Sequence, residues 1–219
     1  MNTVFTKTFS PPPIDKAEIL RYAGAKEFSP EIDALLEECL AEANGILTYK
    51  VCYGHFPVSF CKDVIDLSFI KLRSESLEKN LSGCRSIILF AATVGLELDR
   101  LISKYGRISP SKALMLNSIG AERIESLCDV FNKYVAQEYG HTRPRFSPGY
   151  GDLSIKLQKD FFNILQPNLK IGLTLSESML MTPAKSVTAI IGISDTFCKK
   201  QKHSCNDCEK TDCSYRRSI

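Results

Sequence analysis

The chain has 219 residues, 44% hydrophobic and 24% charged, with 28 basic and 25 acidic side chains and a formal net charge of +3. That length supports a sizeable core in one large domain or two small ones, and the near-average composition excludes disordered, collagenous and low-complexity classes. So small a positive excess is no electrostatic footprint for nucleic acid, and no apolar run approaches the roughly 18 residues of a membrane helix. Met1-Asn2-Thr3-Val4-Phe5 lacks the charged start and long apolar stretch of a signal peptide, so the expected compartment is cytoplasmic.

Taken in chain order, Ser10-Pro11-Pro12-Pro13 is a stiff extended lead-in, because each proline fixes its own φ and restricts the residue before it. A first helix is predicted over 16–22. A second, amphipathic one is predicted over 31–44, where Ile32, Leu35, Leu36, Cys39, Leu40 and Ala43 recur at helical spacing. Ser29-Pro30 supplies its N-cap and first-turn proline, and Gly45 its end. Residues 46–53 read as a strand and 68–80 as a helix broken by Ser82-Gly83. Residues 86–94 form a short, nearly continuous apolar run suited to a strand covered on both faces.

A helix over 97–105 carries Leu98, Leu101 and Ile102 inward. Ser109-Pro110 then opens the longest helix, to about 138, with an inner stripe of Leu114, Asn117, Ala121, Ile124, Cys128, Phe131 and Val135. The stretch 140–152 is rich in turn residues, and loops between strong elements are where ligands are commonly met. Residues 155–165 are helical. From 170 to 193 the pattern is β-like, in runs at 171–175, 179–181 and 187–193, with Thr182-Pro183-Ala184-Lys185 as the last hairpin turn. Helices and strands mix without βαβ alternation, so the expected class is α+β, a mainly antiparallel twisted sheet flanked by helices.

Several residues carry candidate chemistry. In Arg145-Phe146-Ser147-Pro148-Gly149-Tyr150-Gly151-Asp152, the guanidinium offers a planar fork for a carboxylate or phosphate. Gly149 permits close backbone approach, and Tyr150 adds a flat face and a hydroxyl. Glu125 beside the long helix's inner stripe, and Glu177 at a strand bend, sit in otherwise apolar settings and are either hydrogen-bonded structural carboxylates or partners for a cationic ligand. His55, His141 and His203 have no nucleophile context, and there is no Gly-rich nucleotide motif, so neither triad nor nucleotide chemistry has support.

The nine cysteines divide sharply. Cys39, Cys52, Cys61, Cys84 and Cys128 are scattered, mostly among apolar neighbours, and read as small buried hydrophobes. Cys198, Cys205, Cys208 and Cys213 crowd the end at C-x6-C-x2-C-x4-C spacing, with His203 between the first two. Four thiolates so spaced suit a tetrahedral zinc or an iron–sulfur cluster, and His203 is an alternative ligand. The surrounding segment is too polar to fold by burial; a metal would supply the missing stabilisation, and the alternative is a loose tail with reactive thiols.

Four motifs occur in a telling order: Thr93-Val94-Gly95-Leu96-Glu97-Leu98-Asp99; Ala121-Glu122-Arg123-Ile124-Glu125; Arg145-Phe146-Ser147-Pro148-Gly149-Tyr150; and Leu175-Ser176-Glu177-Ser178-Met179-Leu180-Met181-Thr182-Pro183 with Ser186-Val187. On these the chain resembles the activation domain of cobalamin-dependent methionine synthase over about 86–194, and with its terminal cysteines it looks like the free-standing activation proteins of that family. The resemblance implies three regions. These are an N-terminal helical and strand portion at 1–85, an S-adenosylmethionine-binding activation core at 86–195 and a cysteine-rich tail at 196–219.

It further implies binding of S-adenosylmethionine and presentation of its methyl group to reduced cobalamin, carried by a partner methionine synthase, to regenerate methylcobalamin. The chain would then be an activation subunit rather than a complete enzyme, with a flavodoxin- or ferredoxin-like electron donor as a further partner. By the same resemblance Arg145 would grip the ligand carboxylate, and Glu125 would accept its ammonium. Tyr150 would border the sulfonium or the corrin, Gly149 would offer backbone to the adenosine, and Glu177 would be a contact or a structural group. The chain departs from the family after Tyr150, where Gly151-Asp152-Leu153 replaces a Pro/Cys/His-containing continuation. The cysteine tail stands where the family has a further ligand-side segment, as a structural clasp or an electron relay. The competing expectation is a non-enzymatic metal-binding protein-interaction module with a degenerate ligand pocket.

Overall fold

The computed structural model describes residues 3–25 and 29–195. A strand, β1 (Val4–Thr8), precedes the proline lead-in, and helices α1 (Lys16–Ala23) and α2 (Pro30–Asn44) follow it. Asp15 and Ser29 cap these helices, each accepting from the backbone N–H three residues on. Next come β2 (Lys50–Pro57), β3 (Ser59–Cys61), β4 (Val64–Asp66), β5 (Lys71–Leu72), α3 (Glu75–Asn80) and β6 (Cys84–Thr93). Helices α4 (Glu97–Ile108) and α5 (Pro110–Tyr139) lead into β7 (His141–Thr142). A 3-10 turn (Ile155–Leu157) runs into α6 (Gln158–Leu165), followed by α7 (Pro167–Lys170), β8 (Thr174–Leu175), β9 (Met181–Thr182) and β10 (Ser186–Ser194).

The main sheet has five strands in the order β1-β2-β6-β10-β7, every neighbour antiparallel. The burial of β6 and β10 follows from their sequences: in β6 only Arg85 is exposed, so both faces must be covered. One face, with Tyr53, Ile88, Phe90, Ala92, Ala189 and Ile191, packs against α1, α2, α4 and α5. Phe131 of α5 anchors this side, its ring 4.8 Å from Phe90 and 5.3 Å from Tyr53. The other face, with Cys52, Phe56, Ile87, Leu89 and Ile190, is covered by Leu77 and Leu81 around α3, by Phe161 and Leu165 of α6, and by Leu153. No helix among the described residues is long and apolar enough to cross a membrane.

The α+β antiparallel architecture is as expected, and so are α1, α2, β6, α4 and α5 to within a few residues. Other expectations are corrected. The strand placed at 46–53 lies at Lys50–Pro57, and the stretch 68–80 is a turn and a short strand before it becomes α3. The inner stripe of α5 runs through Met115, Leu116, Ile119, Ile124, Leu127, Cys128, Phe131 and Val135, whereas Leu114 and Asn117 are exposed. A helix flanked by three others as well as a sheet buries a wider arc than a single stripe. The turn at 182–185 is a corner between two sheets, because β9 pairs with β8 while β10 belongs to the main sheet. Cys39, Cys52, Cys84 and Cys128 are buried thiols as read, but Cys61 is exposed.

Candidate functional site

After β7 the chain continues as an irregular edge along β10. Arg143 donates its N–H to Gly192 O, and Phe146 and Ile190 exchange both backbone bonds at 2.9 and 2.8 Å. Neighbouring side chains of extended backbone point to opposite faces. Phe146 therefore packs into the second core, while Arg145 reaches the α5 side. There Arg145 donates to Asp129 Oδ1 at 2.7 Å and to Glu125 Oε2 at 2.9 Å. The two carboxylates stand four residues apart, on one face of the helix.

This cluster is asymmetric in charge and burial. One guanidinium faces two carboxylates, leaving one net negative charge. Arg145 is only 20% exposed at its side chain, against 48% for Glu125 and 67% for Asp129. Burial pulls the guanidinium pKa down most strongly, but Cys128, Asp129 and Glu125 together outweigh it and the net direction is up. The guanidinium therefore stays charged. Both carboxylates open to solvent and stay solvated if Arg145 turns away, so exchanging them for an incoming carboxylate keeps the guanidinium paired and costs little. Glu125 is thus a surface carboxylate, correcting the expectation that it sits in an apolar setting. The buried acid of its motif is Glu122.

Glu122 and Arg123 form a different kind of pair one turn earlier. They are 2% and 1% exposed. Arg123 donates to Glu122 Oε2 at 2.5 Å and Oε1 at 2.6 Å, to Pro12 O at 2.6 Å and to Pro13 O at 2.7 Å. Glu122 also accepts from Ser126 Oγ and Asp15 N. Through Pro12, Pro13 and Asp15 these contacts tie the proline lead-in to α5, so this pair is a structural clamp.

The loop beyond Arg145 is closed on itself. Tyr150 N–H donates to Ser147 O, Leu153 N–H to Tyr150 O, and Gly149 N–H to Leu153 O at 3.1, 2.9 and 2.8 Å. Gly149 adopts φ +93°, the left-handed side that a side chain would strain. Tyr150 is 59% exposed, resting edge-on against Phe146 with ring centroids 6.1 Å apart. Asp152 fastens the loop to α3, accepting from Ser74 Oγ at 2.6 Å and from the backbone N–H of Glu75 at 2.7 Å and Ser76 at 3.2 Å. The Ser74 hydroxyl, followed by those amides, holds the Asp152 carboxyl down at about 2.

The fold therefore brings Arg145 and Glu125 into contact, and Gly149 and Tyr150 lie on the loop that Arg145 opens. Glu177 is elsewhere, on the β8–β9 turn, where it lines an open cleft of about 490 Å³ with Lys159, Asn163 and Asn168. Cys198, Cys205, Cys208 and Cys213, with His203, lie outside the described residues. Among the described residues no group of three or more His, Cys, Asp or Glu side chains is placed to hold a metal ion. Two contributors escaped the sequence reading. Asp129 was recoverable from its helical spacing to Glu125; Asp152 was not, since its partners lie 76–78 residues away.

No family model matches the sequence, and no curated protein matches it. The fold, however, is similar to a solved structure described as the MetH reactivation domain bound to AdoHcy. The TM-score is 0.63 at 15% identity, covering 90% of this chain and 80% of that one. At that identity the likeness is one of fold.

Proposed function

We propose that this chain binds S-adenosylmethionine and serves as a reactivation partner of a cobalamin-dependent methionine synthase, presenting the methyl group to reduced cobalamin held by that enzyme. The observation that carries the reading is the shared fold, over 90% of the chain, with a reactivation domain solved with AdoHcy. The four ordered sequence motifs support it independently.

The residues fit the ligand chemically. S-adenosylmethionine carries a carboxylate, an ammonium and a sulfonium, and so one net positive charge. The Arg145–Glu125–Asp129 cluster has one net negative charge. In this reading Arg145 turns to the ligand carboxylate through charge-assisted hydrogen bonds, and Glu125, released, accepts the ammonium. Tyr150 lends a π face to the cationic end, and the Gly149 backbone adjoins the adenosine. When bound, the donor supplies a carbon already activated by its sulfonium, so the chain's own residues have only to bind and orient it. Glu177, on its separate cleft, is assigned a structural role.

We further propose that Cys198, Cys205, Cys208 and Cys213 hold zinc or an iron–sulfur cluster. Four thiolates suit either, and a cytoplasmic setting keeps such thiols reduced. Metal analysis and a visible spectrum of anaerobically purified protein separate the two. A truncation before Cys198 that preserves reactivation excludes an electron relay between a flavodoxin- or ferredoxin-like donor and the cobalt.

The functional test is methylcobalamin formation, followed by absorbance, from cobalamin-loaded synthase, S-adenosylmethionine and a reductant. Formation that depends on this chain is expected. Equal formation without it, or none with it, overturns the reading.

A further inference from the structure

Asp152 stands in the segment where the chain departs from the family it resembles. Its carboxylate joins two parts of the molecule that are far apart in sequence. Ser74 already caps α3 locally, accepting the Leu77 N–H at 3.1 Å. The two preceding amides, of Glu75 and Ser76, donate to Asp152, and the Ser74 hydroxyl donates to it as well. Gly151 sits against the same helix. It has φ +54°, and an added Cβ would lie 2.7 Å from Ser76 Cβ, so the contact requires glycine.

The loop is thus fixed at both ends. Phe146 is paired to β10 at one end, and Asp152 is latched to α3 at the other. Between them only Ser147, Pro148, Gly149, Tyr150 and Gly151 remain, held by the local bonds that present Tyr150 outward. Since α3 packs into the second core through Leu77, the latch refers the loop to the rigid interior.

We propose that Asp152 is a positioning residue: by latching the loop to α3 through Ser74, Glu75 and Ser76, it holds Tyr150 in the orientation that receives the methyl donor. This rests on the S-adenosylmethionine reading above. A residue so placed touches no ligand and acts through Tyr150, as supporting contacts do at preorganised sites.

The experiment measures S-adenosylmethionine affinity of the full chain by calorimetry, alone and with cobalamin-loaded synthase, together with amide exchange across 147–153. The variants are Asp152→Asn, Tyr150→Ala and the double variant. Ser74→Ala replaces Asp152→Asn if the latter does not fold. Asp152→Asn is expected to weaken binding about tenfold and to speed exchange in the loop, while β6 and α5 stay protected. In the Tyr150→Ala background it is expected to have no further effect on affinity. Wild-type affinity in Asp152→Asn, unchanged loop exchange, or an undiminished effect once Tyr150 is alanine overturns the proposal. If the wild-type chain itself does not bind, the ligand reading falls and the positioning role falls with it, a result distinct from variants that bind like the wild type.

Discussion

Two arginines are held by carboxylates of α5, and their surroundings assign them opposite work. Arg123 is 1% exposed, with three of its nitrogens donating to Glu122 and to two proline carbonyls. Four of its five N–H groups are committed to these internal acceptors. Arg145 lies under two carboxylates that are themselves 48% and 67% exposed, in a cluster with surplus negative charge. The difference teaches that an Arg–Glu pair reads as structural or ligand-facing by saturation and burial, and hardly at all by residue type.

Breaking the clamp should have the largest effect. Arg123→Met leaves Glu122 buried without its cation and frees two carbonyls, so a loss of about 3–5 kcal/mol is expected in urea unfolding. Against a typical domain stability of about 5–15 kcal/mol, that is a large share. Arg145→Ala should do the reverse. Stability changes by about 1 kcal/mol or less, while S-adenosylmethionine affinity falls about 10- to 100-fold in calorimetry, because a charge-assisted contact is lost from the ligand. A destabilisation by Arg145→Ala as large as that of Arg123→Met would erase the contrast.

Gly151→Ala sharpens the comparison at the loop. A side chain at φ +54° facing Ser76 should cost about 1–2 kcal/mol by thermal unfolding and loosen the Asp152 contact. The smallest effect is acid-dependent. The Asp152 carboxyl is held at about 2 in the folded protein, against an ordinary 3.8. Its latch is therefore fully present above pH 4 and is lost as pH falls from about 4 to 2. Protection of amides 147–153 against exchange, referred to the intrinsic rate at each pH, should fall over that window in the wild type, and the fall should shrink in Asp152→Asn.

How much of this was legible in the sequence depended on whether the signal was local. The helices α2 and α5 announce themselves through Ser-Pro starts and helical spacing, and β6 through an unbroken apolar run. Strand β1 passed unread because Phe5 is exposed and its burial follows no clean alternation. The small strands β3 to β5 are paired with one another and packed on the second core, which no short window of residues encodes. At the site, Arg145, Gly149 and Tyr150 stood out because turn chemistry is local. Glu125 was recognised but misplaced: it borders buried Ile124, and which side of that border faces solvent is set by how α5 packs. Asp152 carried no signal, because its partners are supplied by the fold.

The most direct test of the account is a calorimetric titration of S-adenosylmethionine into the full chain, beside the Arg145→Ala variant matched for melting temperature. Saturable single-site binding by the wild type is expected, weakened at least about tenfold in the variant without a change in stability. No binding by the wild type, even with cobalamin-loaded synthase present, or equal binding by both proteins, would contradict it.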